Sequence, residues 1–210
     1  MLIKWIVCDV PADKRAAFSE AQAAWSALSG APGFLGQLGG WDGEGRACIA
    51  GLWAYRAAYR HFMEHLHDDI FDGNAQAGTY TASRVTLFES VMDVGAALAG
   101  ASGSTLRVAD CQVGEGREAR FVEMQQTVWN PGMGGAPGMM GGVFSHGGAR
   151  RYLVLSRWRD EAAHERYRAE RFPALRSRAG ATQDLEAVAG HVVDLEPAWS
   201  VSTRAPEDRR

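Results

Sequence analysis

Hydrophobic and polar positions follow a strand period and a helix period in alternation, and the same series occurs twice along the chain. The run 2–10 is rich in β-branched and aromatic residues and ends at Pro11, which suits the first turn of a helix. The first half is predicted to contain strands at 2–10, 34–40, 47–53 and 84–90 and helices at 11–28 and 54–66. This pattern predicts the element order βαββαβ.

An internal repeat organises the chain. The Gly-Ala-Pro-Gly motif at 30–33 returns at 135–138, and Trp53, which precedes a helix-like segment with paired alanines, returns as Trp158. The second half is therefore predicted to contain strands at 106–113, 139–144, 151–158 and 190–195 and helices at 117–129 and 160–171. Residues 94–105, rich in Ala, Gly and Ser, are predicted to form a linker.

The repeated unit predicts the architecture. A βαββαβ unit places both helices on one face of its sheet, and the other apolar face needs a partner, which the second copy can provide. We therefore predict an α+β fold in which two tandem ferredoxin-like repeats form an intramolecular pseudo-dimeric α/β barrel, with a pocket between sheet and helices in each half. The predicted domains are 1–95 with the candidate pocket, 106–200 with a structural role, and a flexible tail at 201–210.

Composition and charge narrow the choice of partner. A net charge of -3 without a basic cluster argues against nucleic acid and anionic membranes, which both need concentrated Lys and Arg. We expect a small organic molecule as partner and a monomer or weak homodimer as the assembly. Three isolated cysteines indicate reduced thiols, and the sequence shows neither a signal-peptide pattern nor a long apolar run, so we predict a cytoplasmic protein.

Short motifs spread over nearly the whole chain allow a comparison with known families. They are Leu-Ile-Lys-Trp-Ile at 2–6, Gly-Phe-x-Gly-Gln-x-Gly-Gly-Trp at 33–41, His-Asp at 67–68, Val-Trp-Asn-Pro at 128–131 and Leu-Glu-Pro-Ala-Trp at 195–199. The chain resembles the dimeric α/β-barrel superfamily, which includes cofactor-free antibiotic-biosynthesis monooxygenases and haem-degrading enzymes, and more narrowly the uncharacterised YdbC-like tandem barrels. This resemblance implies the barrel fold and favours small-molecule binding, without a transferable activity.

Haem, metal and nucleotide sites are not expected. The haem-degrading members carry a ligating histidine a few residues after a phenylalanine like Phe71, and neither residues 72–76 nor residues 175–179 of the second copy contain a histidine. His61 and His65 lie one helical turn apart, but Phe62 occupies the position of the glutamate in zinc proteases. The glycine-rich run 132–138 follows a helix and precedes a strand, the reverse of a phosphate-binding loop. We predict neither a cofactor nor a metal.

Aromatic residues accompanied by a few polar groups predict a small-molecule pocket in the first half. The candidate ligand-binding residues are Gln22, Trp25, Gln37, Trp41, Trp53, His65 and Tyr80. Gln22 has a counterpart in Gln125, and each amide either bonds the backbone or faces a cavity; the duplication favours the structural role. Gln37, Trp41 and His67 lack counterparts of their own type, which indicates either one working pocket or drift in a duplicated core.

His67 and Asp68 are the candidate catalytic residues. His67 follows a predicted helix break, and histidine can act as a base near neutral pH. Asp68 is either its partner or the N-cap of the next helical turn. In one interpretation the protein is a cofactor-free monooxygenase-like or isomerase-like enzyme in which His67 deprotonates an aromatic or enolisable compound. The alternative is a non-catalytic ligand-binding, stress-response or structural barrel.

Overall fold

The computed structural model describes residues 1–203, without the side chain of Ala181, so most of the predicted tail lies outside the described residues. The strands are β1 (Leu2–Asp9), β2 (Phe34–Asp42), β3 (Ala47–Trp53), β4 (Ala82–Asp93), β5 (Thr105–Val113), β6 (Met139–His146), β7 (Arg151–Trp158) and β8 (Leu185–Leu195). The α-helices are α1 (Arg15–Ala23), α2 (Arg56–His65), α3 (His67–Gly73), α4 (Glu118–Met124), α5 (Asn130–Gly134), α6 (Glu161–Glu170) and α7 (Phe172–Ala179).

The predicted fold class is confirmed. The strands form a closed barrel in the order β1-β3-β2-β8-β5-β7-β6-β4, built from two ferredoxin-like halves. In the first half β3 pairs antiparallel with both β1 and β2, and in the second β7 pairs antiparallel with both β5 and β6. Among the residues that the structure describes, no helix is both long and apolar enough to cross a membrane.

The helices are less regular than the sequence predicted. α1 continues as a 3-10 helix over Ala24–Gly30, and the helix predicted over 117–129 consists of α4 and a π-helical turn at Gln125–Trp129, followed by α5. Pro131 lies just after the π-helical turn within one continuous helical segment, and because it has no N–H it removes one backbone hydrogen bond there. The predicted break near His67 is confirmed, because α2 ends at His65 and α3 begins at His67.

The chain divides into two compact units, Met1–Leu87 with the segment that begins at Leu195, and Phe88–Asp194. In the first unit the backbone N–H of Gln37 donates to the carbonyl oxygen of Val201 over 2.8 Å, and the backbone N–H of Val201 donates to the carbonyl oxygen of Gln37 over 3.0 Å. In the second unit the amide of Val94 donates to Gly142, and Leu98 is buried. Val94 and Leu98 of the predicted linker and Val201 of the predicted tail are therefore buried parts of these units.

Each unit has its own hydrophobic core around a repeated tryptophan. Trp53 is buried in the first unit and stacks on Phe62, with ring centroids 4.8 Å apart. Trp158 is buried in the second unit, and its ring lies 4.9 Å from that of Tyr167. The repeated tryptophan thus attaches the helix that follows it to the sheet in both units.

Candidate functional site

The first unit contains a cavity of about 320 Å³ between its sheet and helices α1 to α3. The predicted residues that line this cavity are Gln22, Trp25, Gln37, Trp53, His67 and Tyr80. Its wall also contains Tyr59, Phe62 and Phe71. Aromatic rings therefore form a large part of the cavity wall, beside aliphatic side chains such as Ile6 and Leu28 and a few polar groups.

Lys4 of β1 supplies a cation to this cavity. Its ammonium group lies 4.0 Å from Met63 Sδ and 5.8 Å from the ring centroids of Tyr59 and Phe62. Burial lowers the pKa of Lys4 from 10.5 to about 8, and the Cys8 thiol, which opposes this shift, is the weaker influence. Burial also raises the pKa of Cys8 to about 12, so this thiol is neutral near pH 7. Lys4 is thus a buried amine that can change its charge under mildly alkaline conditions.

A chain of side-chain hydrogen bonds fixes the polar groups at one end of the cavity. The Trp25 indole donates to Gln76 Oε1 over 2.7 Å, and Gln76 Nε2 donates to Gln22 Oε1 over 3.0 Å. The Thr79 hydroxyl donates to the carbonyl of Gln76 over 2.7 Å. Gln22 therefore accepts from a side chain instead of the backbone and also lines the cavity, the second of the two roles that its sequence position allows.

The imidazole of His67 lies among aromatic rings. Its centroid is 5.5 Å from those of Trp25 and Phe62, and it stacks on Phe71 at 5.6 Å. Nδ1 lies 2.8 Å from Asp68 Oδ1, and the N-cap of α3 is Leu66 rather than Asp68. When Nδ1 donates to Asp68, the neutral ring carries its free lone pair on Nε2, as a general base requires.

Trp41, His65 and Asp68 do not line the cavity. Trp41 packs against Phe18 and Trp199 at 5.8 and 5.0 Å between ring centroids, outside the cavity wall. His65 is exposed, stacks on the ring of His61 and places its Nδ1 2.9 Å from the His61 carbonyl oxygen. Asp68 is also exposed and reaches the cavity only through His67.

Sequence reasoning missed Lys4, Tyr59 and Gln76. Lys4 had a detectable signal, because it interrupts the apolar face formed by alternate residues of β1, and Arg107 interrupts β5 at the equivalent position. Gln76 had none, since it begins a 3-10 helix of four residues, Gln76–Thr79, which is too short for a periodic pattern. In that segment the side chain of Gln76 bonds both Trp25 and Gln22, so it is engaged within the protein.

The second unit also contains a cavity, of about 820 Å³, at the equivalent position of its own sheet and helices. Tyr59 is replaced there by His164, and His67 by Phe172. The second unit thus has Phe172 where the first has His67, while a cavity is present in both.

The closed barrel of two ferredoxin-like halves is the fold of the dimeric α/β-barrel, antibiotic-biosynthesis-monooxygenase-like proteins. Residues 2–88 match a domain of unknown function, DUF4937. The uncharacterised protein YdbC of Bacillus subtilis (strain 168) is 43% identical over 93 residues, which are 42% of this chain and 78% of YdbC. The chain belongs to this DUF4937 family.

Solved structures share the fold at low sequence identity. A proposed monooxygenase from Fusobacterium nucleatum subsp. nucleatum superposes with a TM-score of 0.77 and 10% identity over 92% of this chain and 91% of that chain. An anthrone oxidase-like protein superposes with a TM-score of 0.72 and 11% identity over 100% of this chain and 96% of that chain. At these identities the similarity establishes the fold alone.

Proposed function

We propose that the cavity of the first unit binds a small aromatic or enolisable compound and that His67 removes a proton from it. The observation that carries this proposal is the position of His67, which lines an aromatic cavity while Asp68 bonds its Nδ1. The aromatic wall favours a flat, apolar ligand. The fixed amides of Gln22 and Gln76 would orient its polar groups.

Lys4 would stabilise the anion formed by proton removal. Its ammonium lies 5.8 Å from the ring centroid of Phe62, and the ring of His67 lies 5.5 Å from that same centroid. A cation held in a low-dielectric cavity acts most strongly on charge that develops during the reaction. His67 is then the base, and Lys4 is the group that stabilises the enolate or phenolate.

The chemistry that follows would need no resident cofactor. In the monooxygenase-like reaction the carbanion reacts with O2, a CH2 group becomes C=O, and the second oxygen atom leaves as water. The substrate carbon provides all four electrons, so no external reductant is required. In the isomerase-like reaction, His67 would return the proton to a different carbon of the same molecule.

Anthrone is a suitable probe, since a structural neighbour is described as anthrone oxidase-like and its methylene group is acidic. Exchange of this methylene into D2O under nitrogen, followed by NMR, measures proton removal separately from oxidation, and oxygen uptake in air measures oxidation. We expect catalysed exchange that falls about 100-fold or more in His67→Ala. His65→Ala is the matched control, because this exposed histidine lies outside the cavity. Equal exchange by both variants would exclude His67 as the base.

The non-catalytic alternative rests on the exposure of Asp68. Its carboxylate is 82% exposed, so water screens its interaction with His67 and weakens its hold on the imidazole. In this case the cavity binds its ligand without transforming it. Saturable anthrone binding by calorimetry, with exchange no faster than in buffer, would support this second function.

A further inference from the structure

The cavity of the second unit is larger than that of the first, at about 820 Å³ against about 320 Å³. Trp129 lines this cavity, and its ring lies 5.4 Å from that of Phe172, as the ring of Trp25 lies 5.5 Å from that of His67 in the first unit. The apolar part of the wall includes Phe121, Trp129, Val154, Phe172 and Leu185. A volume of about 820 Å³ falls within the range of roughly 300–1,000 Å³ that is typical of ligand pockets. This unit, which we predicted to be structural, therefore has room for a ligand.

Arg107 brings a buried cation into this apolar wall. It occupies the position on β5 that Lys4 occupies on β1, and both residues line their cavities. Its Nη1 is inaccessible to solvent and has no hydrogen-bond partner within residues 1–203. Buried charges in proteins are normally paired, so an unpaired guanidinium beside a cavity indicates a missing anion.

The ionisable groups that act on Arg107 are neutral. They are Cys111 and Tyr167, and burial raises the pKa of each to about 12. His164 also faces this region, and its pKa is lowered by burial and by the charge of Arg107, which favours the neutral imidazole. None of these neighbours balances the guanidinium near neutral pH.

The carboxylates at the cavity wall are paired with other arginines. Glu165 accepts from Arg168 over 2.8 and 3.0 Å, and Glu186 accepts from Arg150 over 2.9 Å. Arg176 is a further cation on the same wall. The cavity therefore attracts an anion rather than a cation.

Gln125 provides a second unsatisfied group. Its Oε1 is buried without a partner within the described chain, whereas the equivalent Gln22 accepts a hydrogen bond from Gln76. Gln125 begins the π-helical turn, a local widening that occurs frequently at functional sites. A ligand with a hydroxyl or N–H group would satisfy this oxygen.

We infer that the cavity of the second unit binds an apolar, aromatic carboxylic acid whose carboxylate pairs with Arg107 and whose hydrogen-bond donor meets Gln125. A guanidinium binds a carboxylate through two parallel hydrogen bonds, so the planar acid group matches the planar side chain. The aromatic wall would hold the ring system. This site is separate from the one proposed for His67 and does not depend on it.

The test is isothermal titration of the full chain with 2-naphthoate, 2-naphthamide and 6-hydroxy-2-naphthoate. All three compounds are titrated into the Lys4→Met variant. This variant lacks the cation of the first cavity, so the cavity of the second unit remains as the site for a carboxylate. We expect one 2-naphthoate bound per chain, at least tenfold weaker binding of the amide, and tighter binding of the hydroxylated acid. Gln125→Leu should remove the advantage of the hydroxyl group.

Arg107→Gln in the same background should weaken 2-naphthoate binding at least tenfold and leave 2-naphthamide binding unchanged. Arg159→Gln is the matched control, since it removes an exposed arginine of the same unit that lies outside the cavity wall. Unchanged 2-naphthoate affinity in Arg107→Gln would overturn the proposal. Equal affinity of the Lys4→Met protein for 2-naphthoate and 2-naphthamide would also overturn it. This comparison does not depend on whether the Arg107 variant folds.

Discussion

Gly33 lies so close to Ala58 that a Cβ on Gly33 would stand 2.6 Å from the Cβ of Ala58, and Gly138 has the same relation to Ala163 at 2.5 Å. Both glycines have a positive φ, of 70° and 86°, which side chains rarely adopt. The glycine motif and the paired alanines, which the sequence showed as two separate repeats, are therefore the two sides of one contact. This contact packs the turn before β2 or β6 against the helix that follows β3 or β7.

Gly33→Ala should destabilise the protein by roughly 2–4 kcal/mol, because the new methyl group is both strained and overpacked. Urea unfolding at neutral pH measures this loss. Gly30→Ala, three residues earlier in the same motif, should change the free energy of unfolding by less than about 0.5 kcal/mol. A Cβ at Gly30 meets no atom within 4 Å. Equal losses in the two variants would show that close packing at Gly33 is not the cause.

The barrel could be predicted because its determinants are local and occur twice. Strand and helix periods, the repeated Trp53 and the Gly33 motif each report on short stretches of chain. The packing of Val94 and Val201 could not be predicted in the same way. Each residue follows the last strand of its repeat and packs through long-range contacts that leave no periodic signal in sequence.

The candidate site was predicted in part for the same reason. Gln22, Trp25 and His67 line the cavity because each projects from a helix or turn whose position the pattern had fixed. Trp41 was also chosen as an aromatic residue on a strand beside the predicted pocket. Its ring packs on Trp199, which follows β8 and belongs to the first unit although it is distant from Trp41 in sequence. A contact between residues so far apart leaves no local pattern in the sequence.

The buried amine of Lys4 should make stability depend on alkaline pH. Its pKa is about 8 in the folded chain against 10.5 ordinarily, so between these values the unfolded chain binds more protons and stability rises with pH. Because Lys4 is only partly buried, its charge costs up to about 3 kcal/mol below pH 8. Lys4→Met should therefore be more stable than the wild type at pH 7, by up to about that amount.

Chemical unfolding of both proteins from pH 7 to 11 measures this dependence. The raised pKa values of Cys8 and Cys48 lower stability at alkaline pH in both proteins, so the informative quantity is the difference between the two curves. That difference should decrease between pH 8 and 10.5. Lys14→Met, which removes an exposed lysine, should show no such change. A constant advantage of Lys4→Met at every pH would instead indicate better packing.

Gln76 should contribute more to stability than its place in a short 3-10 helix, Gln76–Thr79, suggests. Gln76→Leu leaves the Trp25 indole and Gln22 Oε1 without partners, and two buried unsatisfied groups cost roughly 2–4 kcal/mol in total. Gln125→Leu is the matched control in the second unit, because it removes an oxygen that already lacks a partner there and should be neutral or stabilising. Urea unfolding gives both values. A loss in Gln125→Leu as large as that in Gln76→Leu would contradict this account.

His67→Phe should separate catalysis from packing, because it places in the first unit the residue that Phe172 supplies in the second. The His67 ring contacts Trp25, Phe62 and Phe71, and phenylalanine preserves an aromatic ring at this position. The free energy of unfolding should therefore stay within about 1 kcal/mol of the wild type. His67→Ala, which removes the ring, should lose more.

Methylene exchange of anthrone should fall about 100-fold or more in His67→Phe, since no base remains. Asp68→Asn should reduce the rate less, because the exposed carboxylate orients the imidazole but does not take the proton. NMR exchange rates and urea unfolding of the same samples test both statements together. If His67→Phe folds as expected and still exchanges the methylene at the wild-type rate, the base is another group. The next residue to replace would be Lys4, an amine on the same cavity wall with a pKa of about 8.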